Sequence, residues 1–127
     1  LTRPRVRLAN ARRLDLAPVE VDALADTAAL HLCIPPHIAI QLQLEELEAR
    51  EVTVADGSKK VVPYVGPLTI SFANRQCYSG AMVLGDEVLL GAIPMEDMDL
   101  VVLPGGQQVV VNPANPNIAA SIAKGVR

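Results

Sequence analysis

The apolar residues of this chain come in short, valine-rich runs that glycine or proline interrupts every few positions, a rhythm that favours sheet over helix. Half of its 127 residues are apolar, yet only Tyr64, Phe72 and Tyr78 are aromatic and tryptophan is absent. The core must therefore be assembled from Val, Leu, Ile and Ala. A chain of this length buries a modest core without disulfide or metal staples. No internal repeat or linker divides it, so residues 1–127 read as one domain, with a core over about residues 5–111 and an irregular tail over 112–127.

Charge and cysteine content narrow the partners. A formal net charge of −3 provides no basic field to attract nucleic acid or an anionic membrane. No apolar run reaches membrane-spanning length, and the charged N-terminus lacks a leader-type apolar segment. Cys33 and Cys77 sit in strand-like apolar surroundings and read as free buried thiols, which suits a reducing cytoplasm. Arg3, Arg5 and Arg7 occupy alternate positions, the pattern of a solvated edge strand rather than a docking arm, with Arg12 and Arg13 following.

Arg5 to Leu8 and Val19 to Ala25 alternate as strands, the second with Val19, Val21, Ala23 and Ala25 on one face. Leu30 to Ile34 reads as another strand, stopped by Pro35-Pro36. A helix follows over about His37 to Gln43, with Ile38, Ile40 and Leu42 on its apolar face. Leu44 to Glu48 either extends that helix or forms a connecting turn. From Glu51 the period becomes two: Val52 and Val54 lead into Ala55-Asp56-Gly57-Ser58 and Lys59 to Tyr64 leads out, an Asp-Gly hairpin signal. Leu68 to Phe72, Gln76 to Leu84 and Val88 to Leu90 are further strands, with turns at Ala73-Asn74-Arg75 and Gly85-Asp86. Pro94 to Asp97 starts a short helix, and Leu100 to Leu103 and Gln107 to Val111 flank Pro104-Gly105-Gly106 as a hairpin. About eight to ten short strands predict an all-β closed or sandwich-like sheet with small helices. In the tail, Asn112 to Asn117 is irregular, and Ile118 to Ile122 is placed to dock against the body or a partner.

Leu24-Ala25-Asp26-Thr27-Ala28-Ala29 ends the second strand with an acid, a small hydroxyl residue and a small residue on the turn. On local sequence alone, the ordinary role of such an aspartate is an Asx turn. Its other role is catalytic. One carboxylate is a weak catalyst near neutrality, being already ionised and poorly basic. Two held close together share one proton, so that one acts as base toward water while the other polarises a carbonyl. A chain with one such motif must take the second aspartate from a symmetry mate.

Three segments in order resemble the retropepsin-like aspartic proteases: Asp26-Thr27-Ala28-Ala29 after an apolar strand, the Asp56-Gly57-Ser58 hairpin, and Leu89-Leu90-Gly91 before the helix at Pro94. Their order and spacing agree over residues 18–111, most of the chain. The resemblance implies an all-β retropepsin-like closed barrel, the acid-protease half-lobe, in a bacterial or archaeal single-domain form. It implies a homodimeric endopeptidase acting on peptide or protein substrates, without metal or cofactor. By it, Asp26 activates the water and the Thr27 hydroxyl bonds across the dimer axis. Ala28, Leu89, Leu90 and Gly91 support the loop, and Ala55, Asp56, Gly57 and Ser58 form a flap over an extended peptide. The family carries glycine where Ala28 stands, and a glycine-rich flap where Asp56, Lys59 and Lys60 are charged. Those departures keep a second reading open: a catalytically weak or inactive dimer of the same fold that binds peptides or proteins. A structural β domain within a larger assembly is a third, with the apolar tail as its hint.

Other groupings read as scaffold. His31, Cys33 and His37 are ligand-type residues, but strand alternation and Pro35-Pro36 keep them from converging on a metal. Glu45, Glu46, Glu48 and Glu51 form a solvated acidic face without calcium-loop spacing. Met95, Met98 and Leu100 to Leu103 fill the core or a dimer contact. No phosphate loop, dinucleotide fingerprint or Gly-x-Ser-x-Gly elbow occurs.

Overall fold

Alternation along the N-terminal arginines makes the first strand. In the computed structural model, which describes residues 3–103, 105 and 108–123, β1 (Arg5–Asn10) turns Val6, Leu8 and Asn10 inward and Arg5 and Arg7 outward. It runs antiparallel to β2 (Val19–Ala25), where Arg5 and Arg7 meet Asp22 and Glu20 at 3.3 and 2.7 Å. These exposed pairs carry little stability. The arginine strand is solvated as expected, but it is not an edge: its other side pairs with β5.

β3 (Cys33–Ile34) is shorter than the expected Leu30 to Ile34, because the Leu30 carbonyl is taken by the Ile93 amide instead of a ladder. α1 (Pro36–Gln41) has proline in its first turn and ends two residues before the expected boundary. Ile38 and Leu42 enter the core, whereas Ile40 is 75% exposed and does not belong to the apolar face. Leu44 to Glu48 is neither helix nor turn. Gln43, at φ 50°, redirects the chain and β4 (Glu45–Thr53) begins at once. A long antiparallel partner, β5 (Lys59–Phe72), overrides the helical preference of the Glu-rich segment. β5 is also one strand where two were expected; a register shift between Val65 and Leu68 absorbs Gly66-Pro67 as a bulge.

β6 (Arg75–Val83), β7 (Val88–Leu90) and α2 (Ala92–Asp97) follow, with α2 starting two residues before Pro94. The final hairpin pairs β8 (Leu100–Val102) with β9 (Val109–Val111). Pro104 and Gly106 of its expected turn, and Gln107 at the expected start of its second strand, lie outside the described residues. The order β1-β2-β7-β3-β6-β5 closes through the β5–β1 pairing into a six-stranded barrel, with β4 added beyond β5 and β8–β9 as a separate sheet. Val6, Leu8, Leu32, Ile34, Leu68, Ile70 and Leu90 fill the barrel, with Met95 and Met98 of the α2 region closing it. A smaller cluster of Cys33, Val62 and Met82 lies beneath β4, joined by Val52, Tyr64, Leu84 and Leu89. Both cysteines are buried and free; burial, with Asp97 nearby, pushes the Cys77 thiol up to about 12.

The tail docks through polar groups, not through Ile118 and Ile122, which are exposed. Buried Arg75 donates to the Asn115 carbonyl and Asn74 to that of Pro116. The Asp99 carboxylate accepts from Asn112 Nδ2 at 3.0 Å, Asn115 Nδ2 at 2.8 Å and the Ala120 amide at 3.0 Å. Those donors, the Ala120 amide foremost, hold the Asp99 carboxyl below its ordinary value. The latch is therefore complete above the ordinary carboxylate range and is lost as pH falls through the depressed Asp99 value. Hydrogen exchange at Ala120, corrected for intrinsic rate, should accelerate over that interval, and at neutral pH in Asp99→Asn. Asn tolerates the left-handed backbone there (φ 53°) but offers one acceptor oxygen in place of two.

Candidate active site

Asp26 is the first residue past β2, and two backbone connections fix it there. Its amide donates to the Leu90 carbonyl at 3.0 Å, and its carbonyl accepts from the Ala29 amide at 3.1 Å. The side chain closes an Asx turn, Oδ1 accepting from the Ala28 amide at 2.9 Å. Oδ2 has no hydrogen-bond partner among the described residues and the side chain is half-buried. The ordinary turn role and an available carboxylate thus coexist in one residue. Thr27 and Ala28 are exposed, and Ala28 is not among the residues with positive φ, so alanine meets no backbone strain at this position.

The support beneath the loop is parallel pairing of Leu24 with Leu89 and of Ala25 with Leu90. Beyond Leu90 the amides of Ala92 and Ile93 donate to the carbonyls of Ala29 and Leu30, at 2.8 and 2.9 Å. Gly91 lets the two segments touch: a Cβ there would lie 2.5 Å from the Leu30 carbonyl carbon and the His31 oxygen. Its own φ of −84° suits any residue, so glycine is required for space alone. The turn that carries Asp26, Thr27 and Ala28 is thus joined by strand pairing and backbone bonds to the distant segment of Leu89, Leu90 and Gly91.

The β4–β5 hairpin ends at Ala55, Asp56, Gly57 and Ser58, all exposed, with Gly57 at φ 85°. Asp56 Oδ1 accepts from the Ser58 hydroxyl and from its amide at 2.8 Å, which holds the Asp56 carboxyl below its ordinary value. It is the stem of this hairpin, rather than its tip, that meets the Asp26 side of the barrel. Arg50, Glu51, Val52 and Thr53 of β4 line a cleft of about 450 Å³ together with Ala29, Leu30, His31, Cys33, Met82, Leu84 and Leu89. Its floor is the small apolar cluster already described. At its rim the Arg50 guanidinium lies 3.9 Å above the Tyr64 ring, and the same ring covers Gly80, where a Cβ would reach within 2.3 Å of it. Sequence reading missed Arg50 and Tyr64. The alternation of Arg50 with Val52 and Val54 was the available signal, but the period of two was counted only from Glu51.

His31 lies in this cleft beside Cys33, whereas His37 is exposed on α1, so the three ligand-type residues do not converge. A second cleft of about 270 Å³ runs from Thr27 to Ala92, Met95, Glu96, Leu100 and Val102. No helix among the described residues is long and apolar enough to cross a membrane.

Solved structures with this architecture include two with proteolytic names. The protease of simian foamy virus (mac) superposes with a TM-score of 0.52 at 14% identity, over 74% of this chain and 91% of that one. The retroviral protease-like domain of Ddi1 from Leishmania major superposes with a TM-score of 0.55 at 11% identity, over 89% and 90%. No family model matches the chain, and no curated protein matches it. The all-β fold expected from the motif order is thus the one found: a closed, retropepsin-like barrel with short helices.

Proposed function

We propose that this chain is an aspartic endopeptidase working as a homodimer, in which Asp26 and the mate's equivalent share one proton and activate water. The supporting observation is the Asp26 carboxylate itself, tied at the end of β2, with one oxygen unbonded and an apolar cleft adjoining its loop. In this reading the ionised carboxylate takes a proton from water as the oxygen bonds to the scissile carbonyl carbon. The protonated partner gives its proton to the carbonyl oxygen. Collapse of the tetrahedral intermediate, with a proton passing to the amide nitrogen, then breaks the C–N bond. The mate would arrive where the exposed Thr27 adjoins the β8–β9 hairpin, whose outer edges are unpaired among the described residues. The hairpin tip, residues 55–58, would close over the bound peptide. Two free buried thiols suit a reducing compartment such as the cytoplasm.

Ala28 in the family's glycine position favours the second reading, a dimer that binds peptides without cleaving them. The unstrained backbone at Ala28 favours the first. A diverse peptide mixture incubated with the wild-type chain between about pH 4 and 7 separates them. Cleavage with a bell-shaped rate profile is expected. A folded dimer that yields no products at any of these pH values counts against the peptidase and favours the binding reading, and recovery of cleavage by Ala28→Gly would assign the loss to that methyl.

A further inference from the structure

The cleft under β4 carries a cation that the paired-carboxylate chemistry does not use. Val52, Cys33, Met82 and Leu89 give it an apolar floor, and Arg50 brings a guanidinium to its rim. Along β4, Arg50 and Val52 are half-buried while Glu51 and Thr53 are exposed, so Arg50 lies on the inner face of the hairpin.

The guanidinium is held in place before any ligand arrives. It lies 3.9 Å above the Tyr64 ring, and that ring lies across Gly80, where a Cβ would come within 2.3 Å of it. A cation stacked on a confined ring gives up little freedom when it takes an anion. Its Nη2 donates to Glu48 Oε1 at 3.2 Å in a solvent-accessible pair. Nε and Nη1 have no hydrogen-bond partner among the described residues.

The inner face keeps a net positive charge. Lys60 stands directly opposite Val52 in the ladder, so it shares that face, and it has no ion-pair partner among the described residues. Arg50 and Lys60 thus face one acid, Glu48. Glu51, the carboxylate of the cleft lining, alternates to the outer face and meets Lys59 at 3.7 Å. Cys33 is buried, which pushes its thiol up and keeps it neutral. His31 is the remaining ionisable group of the lining.

Resting on the reading that an extended peptide lies beneath the β4–β5 hairpin, we propose that this cleft selects an acidic side chain, with Arg50 as the specificity-determining group. A glutamate fits the chemistry: its methylenes cover the apolar floor and its carboxylate meets the guanidinium, with Lys60 drawing the same charge toward the hairpin tip. Glutamine fills the same space and leaves the cation without a counter-charge. Lysine or arginine meets a like charge.

A random peptide library offered at low salt to immobilised full-length Asp26→Asn chain, with mass spectrometry of the retained peptides, reads the preference without requiring cleavage. Glutamate should be enriched over glutamine about five- to tenfold, the scale of one partly buried charge-assisted hydrogen bond. Arg50→Gln in that background should level the two residues, and Arg50→Glu should turn the preference to lysine and arginine. Glu48→Gln, which frees Nη2 and leaves Arg50 in place, should raise the glutamate preference. Equal retention of glutamate and glutamine peptides, or of neither, overturns the inference, and an acidic preference that survives Arg50→Gln removes Arg50 from it. Wild-type chain that cleaves the library with no acidic preference overturns the inference and leaves the peptidase standing. Acidic enrichment by a chain whose wild type cleaves nothing supports the inference and counts against the peptidase.

Discussion

Asp26→Asn is expected to lower peptide-bond hydrolysis by about 10³-fold or more, the scale of losing a positioned general base. An amide cannot accept the proton of the attacking water, and a pair of amides holds no proton to share. The fold should survive the change. Asparagine keeps the oxygen that accepts from the Ala28 amide, and the loop remains tied through the backbone of Asp26 to Leu90 and Ala29. Stability should therefore shift by less than about 1 kcal/mol, as for most replacements outside a core. Mass spectrometry of the same peptide mixture, with wild type and variant matched in concentration and in dimer content, checks this. Cleavage undiminished in the variant would remove Asp26 from the chemistry and sink the peptidase reading with it.

Gly91→Ala is expected to cost about 3 kcal/mol or more, above the usual range for overpacking, because what it meets is backbone. The new methyl would stand 2.5 Å from two backbone atoms of residues 30 and 31, which no rotamer change can clear. Relief requires the Leu30–His31 segment to lift, and that segment holds α2 through the Ala29 and Leu30 carbonyls. The melting temperature should fall by roughly 10 °C or more. Surviving folded protein should lose activity out of proportion, since the displaced loop carries Asp26. Gly80→Ala is the informative contrast. The three atoms nearest its methyl all belong to the Tyr64 side chain, which can swing away and carry Arg50 with it, so a smaller loss is expected. Calorimetry on the two variants tests the distinction; a Gly91→Ala protein as stable as wild type would show that the loop yields easily and is no rigid support.

The limits of what the chain reveals locally are visible in particular residues. Val19 to Ala25 and Val88 to Leu90 lie where alternation and apolar runs put them, residue for residue. The Asp56-Gly57 turn joins the strands expected to flank it, and Asp26 falls at the strand end. Leu44 to Glu48 shows the opposite case. Its leucines and glutamates suit a helix, yet Glu45 to Glu48 belong to β4 because residues 64–66 of β5 lie alongside them. Gly66-Pro67 looks like a break and is a bulge, since β1 and β6 hold β5 on either side of it. The arginine strand looks like an edge and is interior for the same reason.

By itself, then, the sequence determined the sheet-rich class, the punctuation of most strands, the Asp-Gly hairpin and the order of the three segments that mark the candidate site. Turn chemistry and period-two alternation act between near neighbours, so they can be read along a line. Only the tertiary structure decided that β1 closes the barrel on β5, that Gly91 passes against His31, and that β4 roofs an apolar cleft rimmed by Arg50. Each of these depends on surfaces brought together from separate parts of the chain, where packing and ladder pairing outweigh local preference.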